Sequence, residues 1–194
     1  MAEVDLAVIG AGLSGCSLIG RLQQLGSDLN IALIEAGRGP GGRTATRRRR
    51  DQSGWLLNHG APGFNLSESM PEGMDSLLKP LRSAGVLQRD ERVVLSLDVE
   101  AGLSPATNPD AWPNGGWWRG VPSMASICEA LLDTAGTAQL SRQFESRVRW
   151  LERRRDHWLL ENEDRTWSLR AKHLVLSGTP VSYTHLTLPT KRIV

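Results

Sequence analysis

The sequence has few of the features that mark secreted, membrane or metal-dependent proteins. Its 194 residues include two cysteines, too few for a small fold held together by several disulfides. No apolar run approaches the roughly 18 residues of a membrane-spanning helix, and the first residues lack the basic start of a signal peptide. Cys16 and Cys128 lie far apart in helical patterns and are predicted to be buried thiols. We therefore expect a cytoplasmic protein with no membrane partner.

An excess of charge of one sign is also missing. The formal net charge is +2, and Lys191 and Arg192 account for it. The rest of the chain is balanced, so no nucleic-acid partner is expected. The four arginines at 47–50 are interpreted as a solvated loop beside cofactor phosphates rather than as a nucleic-acid patch. No residues have the spacing of metal ligands, and no metal is predicted.

The chain is long enough for one domain, or a domain and a fraction, with its own apolar core. An apolar run at 4–9 predicts a buried strand, and leucines at helical spacing predict a helix from Leu13 to near Gly26. Residues 29–35 predict a second strand. This βαβ unit should have a right-handed crossover, so the expected fold class is α/β with a parallel sheet.

The other elements are predicted from apolar periodicity and turn residues. They are a loop at 36–54, a strand at 55–57, a helix at 74–84 shortened or kinked by Pro80, a half-buried strand on Val93, Leu95, Leu97 and Val99, and a loop at 100–116. Ser123 is the predicted N-cap of a helix that stops at Gly136. Strands near 148–151, 158–160, 167–169 and 174–176 predict a β-meander.

A glycine-rich turn lies between the first strand and the helix. Residues 10–15 read Gly-Ala-Gly-Leu-Ser-Gly, the GxGxxG pattern in the strand–turn–helix context that dinucleotide binding requires. Its first glycine permits the tight turn, its second lets the backbone approach a pyrophosphate, and its third lets helix and strand pack closely. The helix N-terminus offers N–H groups to the phosphates. The predicted cofactor contacts are Gly10, Gly12, Leu13, Ser14 and Gly15.

An acid and a second glycine stretch follow the second strand. Glu35 comes 20 residues after Gly15, where a carboxylate can accept hydrogen bonds from ribose hydroxyls. Residues 36–43 read Ala-Gly-Arg-Gly-Pro-Gly-Gly-Arg. Glycines let backbone pass close to a cofactor, and Arg43 can meet phosphate oxygens with its forked donors. A simple NAD-linked protein does not need this stretch. The predicted contacts are Glu35, Ala36, Gly42 and Arg43.

The two glycine motifs together resemble the N-terminus of the flavin-containing amine oxidase superfamily, and within it the renalase-like FAD-dependent oxidoreductases. Residues 57–64, Leu-Asn-His-Gly-Ala-Pro-Gly-Phe, are similar to the segment of that group that passes beside the flavin. Asn58 stands where the group has an acid, and Pro62–Gly63 where it has a glutamine and an aromatic residue. Residues 120–124, Gly-Val-Pro-Ser-Met, are similar to the group's Gly-x-Pro-Gly-Met helix start.

The resemblance covers residues 4–180 and implies a Rossmann-type FAD-binding domain with a parallel sheet and a β-meander, plus part of a substrate domain. It assigns 1–66 and 120–180 to the FAD-binding domain and 67–119 to the partial substrate domain. Residues 181–194 are expected to be a non-native tail of a truncated chain. They contain the only tyrosine and three of the ten threonines, and their deletion is expected to leave stability unchanged.

The resemblance also implies where the cofactor lies and what it does. Gly60, Ala61 and Pro62 would pass beside the flavin, and Val148, on a strand around 147–149, would lie against the adenine. The implied activity is hydride transfer from an amine or a dihydronicotinamide-like donor to FAD, with O₂ as acceptor. Its partners are a small-molecule substrate and, as one option, an NAD(P)H-related donor. A desaturase-type FAD oxidoreductase and a non-catalytic dinucleotide-binding module are the alternatives.

No catalytic residue is assigned, because a flavin itself carries the redox step. A lone histidine in a turn, such as His59, is more often structural than catalytic. Cys16, directly after the glycine turn, is interpreted as a buried apolar residue rather than as a reactive thiol. Trp117 and Trp118 fit a pocket lining and core packing equally well.

Overall fold

The computed structural model describes residues 2–48, 54–67, 69–90, 95–100, 102–105 and 116–178. The strands are β1 Ala2–Ile9, β2 Asn30–Ile34, β3 Thr46–Arg48, β4 Leu56–Asn58, β5 Phe64–Asn65, β6 Leu87–Arg89, β7 Leu95–Asp98, β8 Gly102–Pro105, β9 Trp117–Gly120, β10 Gln139–Gln143, β11 Trp150–Arg153, β12 Trp158–Glu161 and β13 Ser168–Leu176. The helices are α1 Leu13–Gln24, α2 Glu72–Ser83 and α3 Ala125–Leu132, and Gly42–Thr44 form a 3₁₀ turn.

A six-stranded sheet in the order β10-β2-β1-β13-β12-β11 organises the molecule. Its first four strands are parallel, whereas β12 and β11 are added antiparallel. The predicted β1–α1–β2 unit is confirmed, and both its strands are buried apolar runs, as expected for the interior of a parallel sheet. The mixed α/β architecture predicted from the sequence is therefore present.

The alternation of side chains along the strands divides the core into two clusters. Leu6 and Val8 of β1 face a cluster that includes Ile19 of α1 and Leu131 of α3. Ala7 faces the opposite cluster, which contains buried residues of the antiparallel strands. The buried side chains of α2 and β6 join the first cluster. Residues of the proposed 67–119 segment thus share a core with the large sheet, and the domain boundaries stay a prediction.

Three smaller sheets lie beside the large one. They have the orders β5-β9-β6, β3-β4 and β7-β8. The predicted loops at 36–54 and 100–116 are wrong in part, because each contains a strand that pairs antiparallel with a neighbour. Val99 does not belong to its predicted strand but lies fully exposed in a turn, and Val93 lies outside the described residues. The hydrophobic periodicity of the sequence does not reveal these short strands. Each is defined by pairing with another strand, which lies farther along the chain or on the other side of a turn.

The predicted β-meander also differs from the structure. The separate strands expected near 167–169 and 174–176 are one strand, β13, long enough to pair with β12 at its start and with β1 along its length. The expected strand around 147–149 is absent, since residues 144–149 are irregular and β11 begins at Trp150. Pairing with neighbouring strands of the tertiary sheet, rather than local sequence, sets these boundaries.

Two helix predictions have different outcomes. The helix expected at 74–84 is α2, and Pro80 lies within its last turn. The N-cap expected at Ser123 is wrong: α3 begins at Ala125 with Met124 as its N-cap residue. The Ser123 hydroxyl is buried and lies 3.1 Å from the Ser126 hydroxyl, so it pairs with another side chain instead of a backbone N–H.

The two cysteines, far apart in the sequence, meet between α1 and α3. Both are free and fully buried. The hydrogen bond to Cys128 and burial together raise the pKa of the Cys16 thiol far above its ordinary value. The prediction of buried thiols is confirmed. Residues 181–194, the expected tail, lie outside the described residues.

Candidate functional site

A cleft of about 500 Å³ opens where β1 and β2 end and α1 begins. This is the carboxyl edge of the parallel strands, where open α/β sheets bind ligands, and its volume is in the usual range for small-molecule sites. Its lining is formed by Gly10, Gly12, Leu13, Ser14, Glu35, Gly41, Gly42, Arg43, Thr44, Ala61, Gly63, Phe64, Ser177 and Gly178.

The cleft floor, residues 10–15, is fixed by close backbone contacts. Gly10 has a φ of +107°, which favours glycine, and its carbonyl oxygen accepts a hydrogen bond of 2.7 Å from the Ser177 hydroxyl. A Cβ on Gly15 would overlap the Gly10 carbonyl oxygen and lie 2.6 Å from the Ser177 oxygen. Gly10 and Gly15 are therefore required by the protein's own packing.

Gly12 differs from its neighbours in the floor. A Cβ added there would meet only the Gly42 Cα, at 3.9 Å, an ordinary van der Waals contact. The protein itself therefore does not need a glycine at this position, although the residue lines the cleft. The open space beside Gly12 is where the sequence motif places a pyrophosphate.

The second glycine turn, residues 41–44, lies against the floor. A parallel bridge joins Gly12 to Gly41, and the Gly41 N–H donates to the Ala11 carbonyl oxygen over 2.8 Å. This contact brings Arg43 to the cleft, where its exposed guanidinium has no ion-pair partner among the described residues. The two glycine stretches, 30 residues apart in sequence, thus form one backbone cradle.

Glu35 joins the floor to the edge of the cleft. Its Oε2 accepts from the Ala11 N–H over 2.8 Å, and its Oε1 accepts from the Gly37 N–H over 2.7 Å. Each carboxylate oxygen has a further lone pair, and the residue lines the cleft. Glu35 can therefore serve as an acceptor for ribose hydroxyls while it holds the glycine turn in place.

Positive potential is concentrated at one end of the cleft. The first N–H groups of α1 have no partner within the helix, and its dipole adds partial positive charge there. The first turn contains no acidic residue and the N-cap makes no side-chain hydrogen bond. With Arg43 beside them, these groups form a suitable site for the phosphates of a nucleotide.

The cleft wall, residues 59–64, faces the second glycine turn. The Ala61 N–H donates to the Arg43 carbonyl oxygen over 2.8 Å, and a Cβ on Gly60 would overlap that oxygen. A Cβ on Gly63 would lie 2.5 Å from Nε1 of Trp117. The wall therefore packs closely against the Arg43 backbone on one side and the Trp117 ring on the other.

The structure brings most of the predicted contacts together. Those that line the cleft are Gly10, Gly12, Leu13, Ser14, Glu35, Gly42, Arg43 and Ala61; those that do not line it are Gly15, Ala36, Gly60, Pro62 and Val148. Val148 is buried in the core cluster of Val4 and Ala7, and its contact with an adenine stays a prediction. The exposed His59 does not line the cleft, and Trp118 packs on the core.

Sequence reasoning missed Gly41, Thr44, Gly63, Phe64, Ser177 and Gly178 as lining residues. Ser177 and Gly178 follow β13 directly. Their place in the cleft could not be predicted, because the sequence does not show that β13 pairs with β1. Once that pairing is known, the carboxyl end of β13 must lie beside the carboxyl end of β1. Phe64 contributes through the small sheet, where it pairs with Trp118.

The described residues contain no helix long and apolar enough to cross a membrane. In that part of the chain, no group of three or more His, Cys, Asp or Glu residues is arranged to hold a metal ion. The site is therefore defined by backbone amides, one acid and one arginine rather than by a ligand cluster.

Comparisons with known proteins agree with this architecture. Residues 8–79 match the family model of the NAD(P)-binding Rossmann-like domain. No curated protein matches the sequence significantly. The solved structures with a similar fold include wild-type putrescine oxidase bound to putrescine, with 15% identity and a TM-score of 0.65, and a putative protoporphyrinogen oxidase from Exiguobacterium sp. 255-15, with 13% identity and a TM-score of 0.64.

The structural matches cover nearly all of this chain but a smaller share of the other chains. The putrescine oxidase match covers 96% of this chain and 60% of the other, and the protoporphyrinogen oxidase match covers 95% and 61%. The chain therefore spans about three fifths of the length of these structures. The chain therefore contains a Rossmann-like dinucleotide-binding unit, and its fold is similar to the folds of these two solved structures.

Proposed function

We propose that the protein is the cofactor-binding part of an FAD-dependent oxidoreductase. The observation that carries this proposal is the open space at Gly12, the one glycine of the GxGxxG turn whose side-chain position the protein leaves free. A motif glycine that the fold does not require is explained if a ligand occupies that space. The proposed cofactor contacts are Gly10, Gly12, Leu13, Ser14, Gly15, Glu35, Ala36, Gly42, Arg43, Gly60, Ala61, Pro62 and Val148.

The residues in the cleft fit FAD in chemistry and placement. The N-terminus of α1 and Arg43 would bind the pyrophosphate, because both offer donors and positive charge. Glu35 would accept hydrogen bonds from the ribose of the adenosine. The bridge between Gly12 and Gly41 extends the cradle beyond the single turn that an NAD-binding unit needs, and this favours FAD over NAD.

The proposed activity is hydride transfer from an amine or a dihydronicotinamide-like donor, with O₂ as the final acceptor. Bound FAD supplies the hydride-accepting group. The residues of this chain would bind and orient the cofactor, and Phe64 of the wall adds an apolar side chain to the cleft lining. The similarity to a putrescine oxidase supports an amine as one substrate class. We also propose a cytoplasmic location, which the two free, buried thiols support.

A desaturase-type FAD oxidoreductase is the second candidate, because a putative protoporphyrinogen oxidase has a similar fold. A non-catalytic dinucleotide-binding module would use the same cleft without turnover. Hydrogen peroxide release with amine substrates would support the oxidase, and cofactor binding without turnover by any donor in the complete protein would support the module.

A titration with FAD and NAD tests the proposal. The chain should bind FAD more tightly than NAD, with quenching of flavin fluorescence as the measurement. Gly12→Ala should weaken FAD binding about tenfold, equal to about 1.4 kcal/mol, because a methyl group would fill the space for the pyrophosphate. Its free energy of unfolding should stay within about 0.5 kcal/mol of the parent value, as for a change that meets no close neighbour.

The matched control is Gly73→Ala, the same change in α2, where a Cβ would lie 3.8 Å from Arg21. It should leave FAD binding unchanged. Equal FAD affinity of the Gly12→Ala variant and the parent would show that no ligand uses the open space. Tighter binding of NAD than of FAD would contradict the choice of cofactor.

A further inference from the structure

We propose that Thr46 and Asn58 are positioning residues that hold two neighbouring segments of the cofactor cleft by capping helix α3. The inference deepens the proposed function, on which its consequence for FAD rests. Asn58 occupies the position where the resembling group has an acid, and it lies outside the cleft lining. Its side chain instead reaches the start of α3, a helix packed under the cleft.

Thr46 and Asn58 accept hydrogen bonds from two of the first four backbone N–H groups at the start of α3. Such groups have no partner within their own helix. The Ser126 and Ile127 N–H groups donate to the carbonyl oxygens of Ser123 and Met124. The Met124 N–H donates to Asn58 Oδ1 over 3.1 Å, and the Ala125 N–H donates to Thr46 Oγ1 over 3.2 Å. Half of the cap is therefore supplied from β3 and β4.

The two capping side chains also bind each other. The Thr46 hydroxyl donates to Asn58 Oδ1 over 2.8 Å, so one hydrogen-bonded unit joins β3, β4 and α3. A third contact lies beside it, where Arg48 forms an ion pair of 3.2 Å with Glu129. That pair is mostly exposed and contributes little. The Thr46–Asn58 unit is the stronger connection of β3 and β4 to α3, because its side-chain oxygens accept hydrogen bonds from backbone N–H groups.

The place of these residues in the chain connects the cap to the cofactor. Thr46 follows Thr44, the last residue of the second glycine turn, by two positions. Asn58 precedes Ala61 of the wall by three positions. Thr44 and Ala61 both line the cleft. The cap therefore fixes the ends of two neighbouring segments of the cleft lining, which the hydrogen bond from Ala61 to Arg43 joins directly.

Asn58 contributes to this cap through its acceptor oxygen, so the effect of a substitution depends on whether that oxygen is kept. The N-terminus of a helix favours a negative charge, and α3 has no acidic residue in its first turn. An aspartate at position 58 would keep the acceptor oxygen and add a favourable charge. Asn58→Asp should therefore preserve the cap, whereas Asn58→Leu, of similar size, removes the acceptor and leaves the Met124 N–H without its partner.

The test compares isosteric variants that keep or remove the acceptor. Amide hydrogen exchange is measured by mass spectrometry in the free chain, followed by FAD titration. Thr46→Val and Asn58→Leu should accelerate exchange in residues 59–64 and 124–125 at least fivefold, while residues 13–24 of α1 keep the parent rate. Thr46→Ser and Asn58→Asp should exchange like the parent.

Thr137→Val is the matched control. It removes a threonine hydroxyl that donates to the Ser27 carbonyl oxygen over 2.7 Å, beyond the end of α1 remote from the cleft. FAD binding should weaken about fivefold in Thr46→Val and Asn58→Leu, the change in an equilibrium that corresponds to one net hydrogen bond of about 1 kcal/mol. It should be unchanged in Thr46→Ser, Asn58→Asp and Thr137→Val.

The outcomes separate this inference from the proposed function. Local acceleration of exchange with no FAD binding in the parent would support the positioning role and contradict the cofactor. Parent-like exchange at 59–64 in both acceptor-free variants, or equal acceleration in α1, would overturn the positioning role. If Asn58→Leu fails to fold, Thr46→Val against Thr46→Ser decides the same question, because that pair differs only in the cap hydroxyl and a methyl group.

Discussion

The floor and the wall of the cleft are built by different physical means. The floor, residues 10–15, is a continuous strand–turn–helix segment in which Ala11 and Gly15 are buried, and its geometry is fixed by backbone contacts such as Gly15 against Gly10. The wall, residues 59–64, is a segment in which His59, Gly60 and Pro62 are exposed, and it is held at its ends by the Asn58 side chain and by β5 pairing. The floor therefore depends on glycine positions, whereas the wall depends on hydrogen bonds between distant elements.

This difference teaches where substitutions should affect stability and where they should affect ligand binding. A change in the floor disturbs a buried unit that α1, β1 and β13 share. A change in the wall disturbs the cleft while the large sheet stays intact. Four substitutions test this distinction, and their expected effects decrease from the first to the last.

Gly15→Ala should have the largest effect. The added methyl group would overlap the Gly10 carbonyl oxygen, and neither backbone segment can move without separating α1 from β1. We expect a loss of about 3 kcal/mol in the free energy of unfolding, at the upper end for overpacking. Urea denaturation followed by tryptophan fluorescence measures it. A loss below about 1 kcal/mol would mean that the floor is as adaptable as the wall.

Gly60→Ala should come second and act on the wall. Its methyl group would overlap the Arg43 carbonyl oxygen and break the hydrogen bond from Ala61 to Arg43. Because the wall is exposed and can shift, we expect a smaller loss of about 1–2 kcal/mol, with faster amide exchange confined to the wall. Exchange that accelerates equally in β1 would contradict the independence of wall and floor.

Glu35→Gln should have a third, intermediate effect at the junction of floor and ligand. The two carboxylate oxygens accept from the Ala11 and Gly37 N–H groups, and an amide can accept from only one of them. We expect a loss of about 1 kcal/mol in stability together with weaker FAD binding. Differential scanning fluorimetry with and without FAD separates the two effects, and an unchanged FAD-induced shift would remove Glu35 from the site.

Lys172→Met should have the smallest effect. Lys172 donates to Asp5 over 2.7 Å, midway along the paired strands β13 and β1, and this hydrogen bond lowers the pKa of Asp5 and raises the pKa of Lys172. The stabilisation is present above the ordinary Asp pKa of 3.8 and below the ordinary Lys pKa of 10.5. It is lost as the pH falls through the lowered Asp value or rises through the raised Lys value.

The melting temperature of Lys172→Met should therefore be lower than the parent value at pH 7 and approach it at strongly acidic pH. The difference should be small, because Lys172 is exposed and Asp5 is only half-buried. FAD binding should not change at any pH. A change in binding would show that this ion pair is coupled to the cleft.

Most of the floor residues could be predicted from the sequence, but few of the wall residues could. The GxGxxG spacing between an apolar strand and an amphipathic helix was sufficient to predict Gly10, Gly12, Leu13 and Ser14 as cleft residues, and Glu35 followed from its position at the end of β2. Ala61 was found only by resemblance. Ser177, Gly178 and Phe64 were missed because their positions depend on strand pairings between segments that are distant in sequence.

What the sequence by itself determined is the β1–α1–β2 unit and its glycine turn, because apolar periodicity and backbone freedom act over a few neighbouring residues. Only the tertiary structure decided that β13 is one strand beside β1, that the two cysteines meet, and that Thr46 and Asn58 cap α3. Those features arise from pairings and side-chain contacts between segments up to about 170 residues apart, where no local pattern specifies the partner.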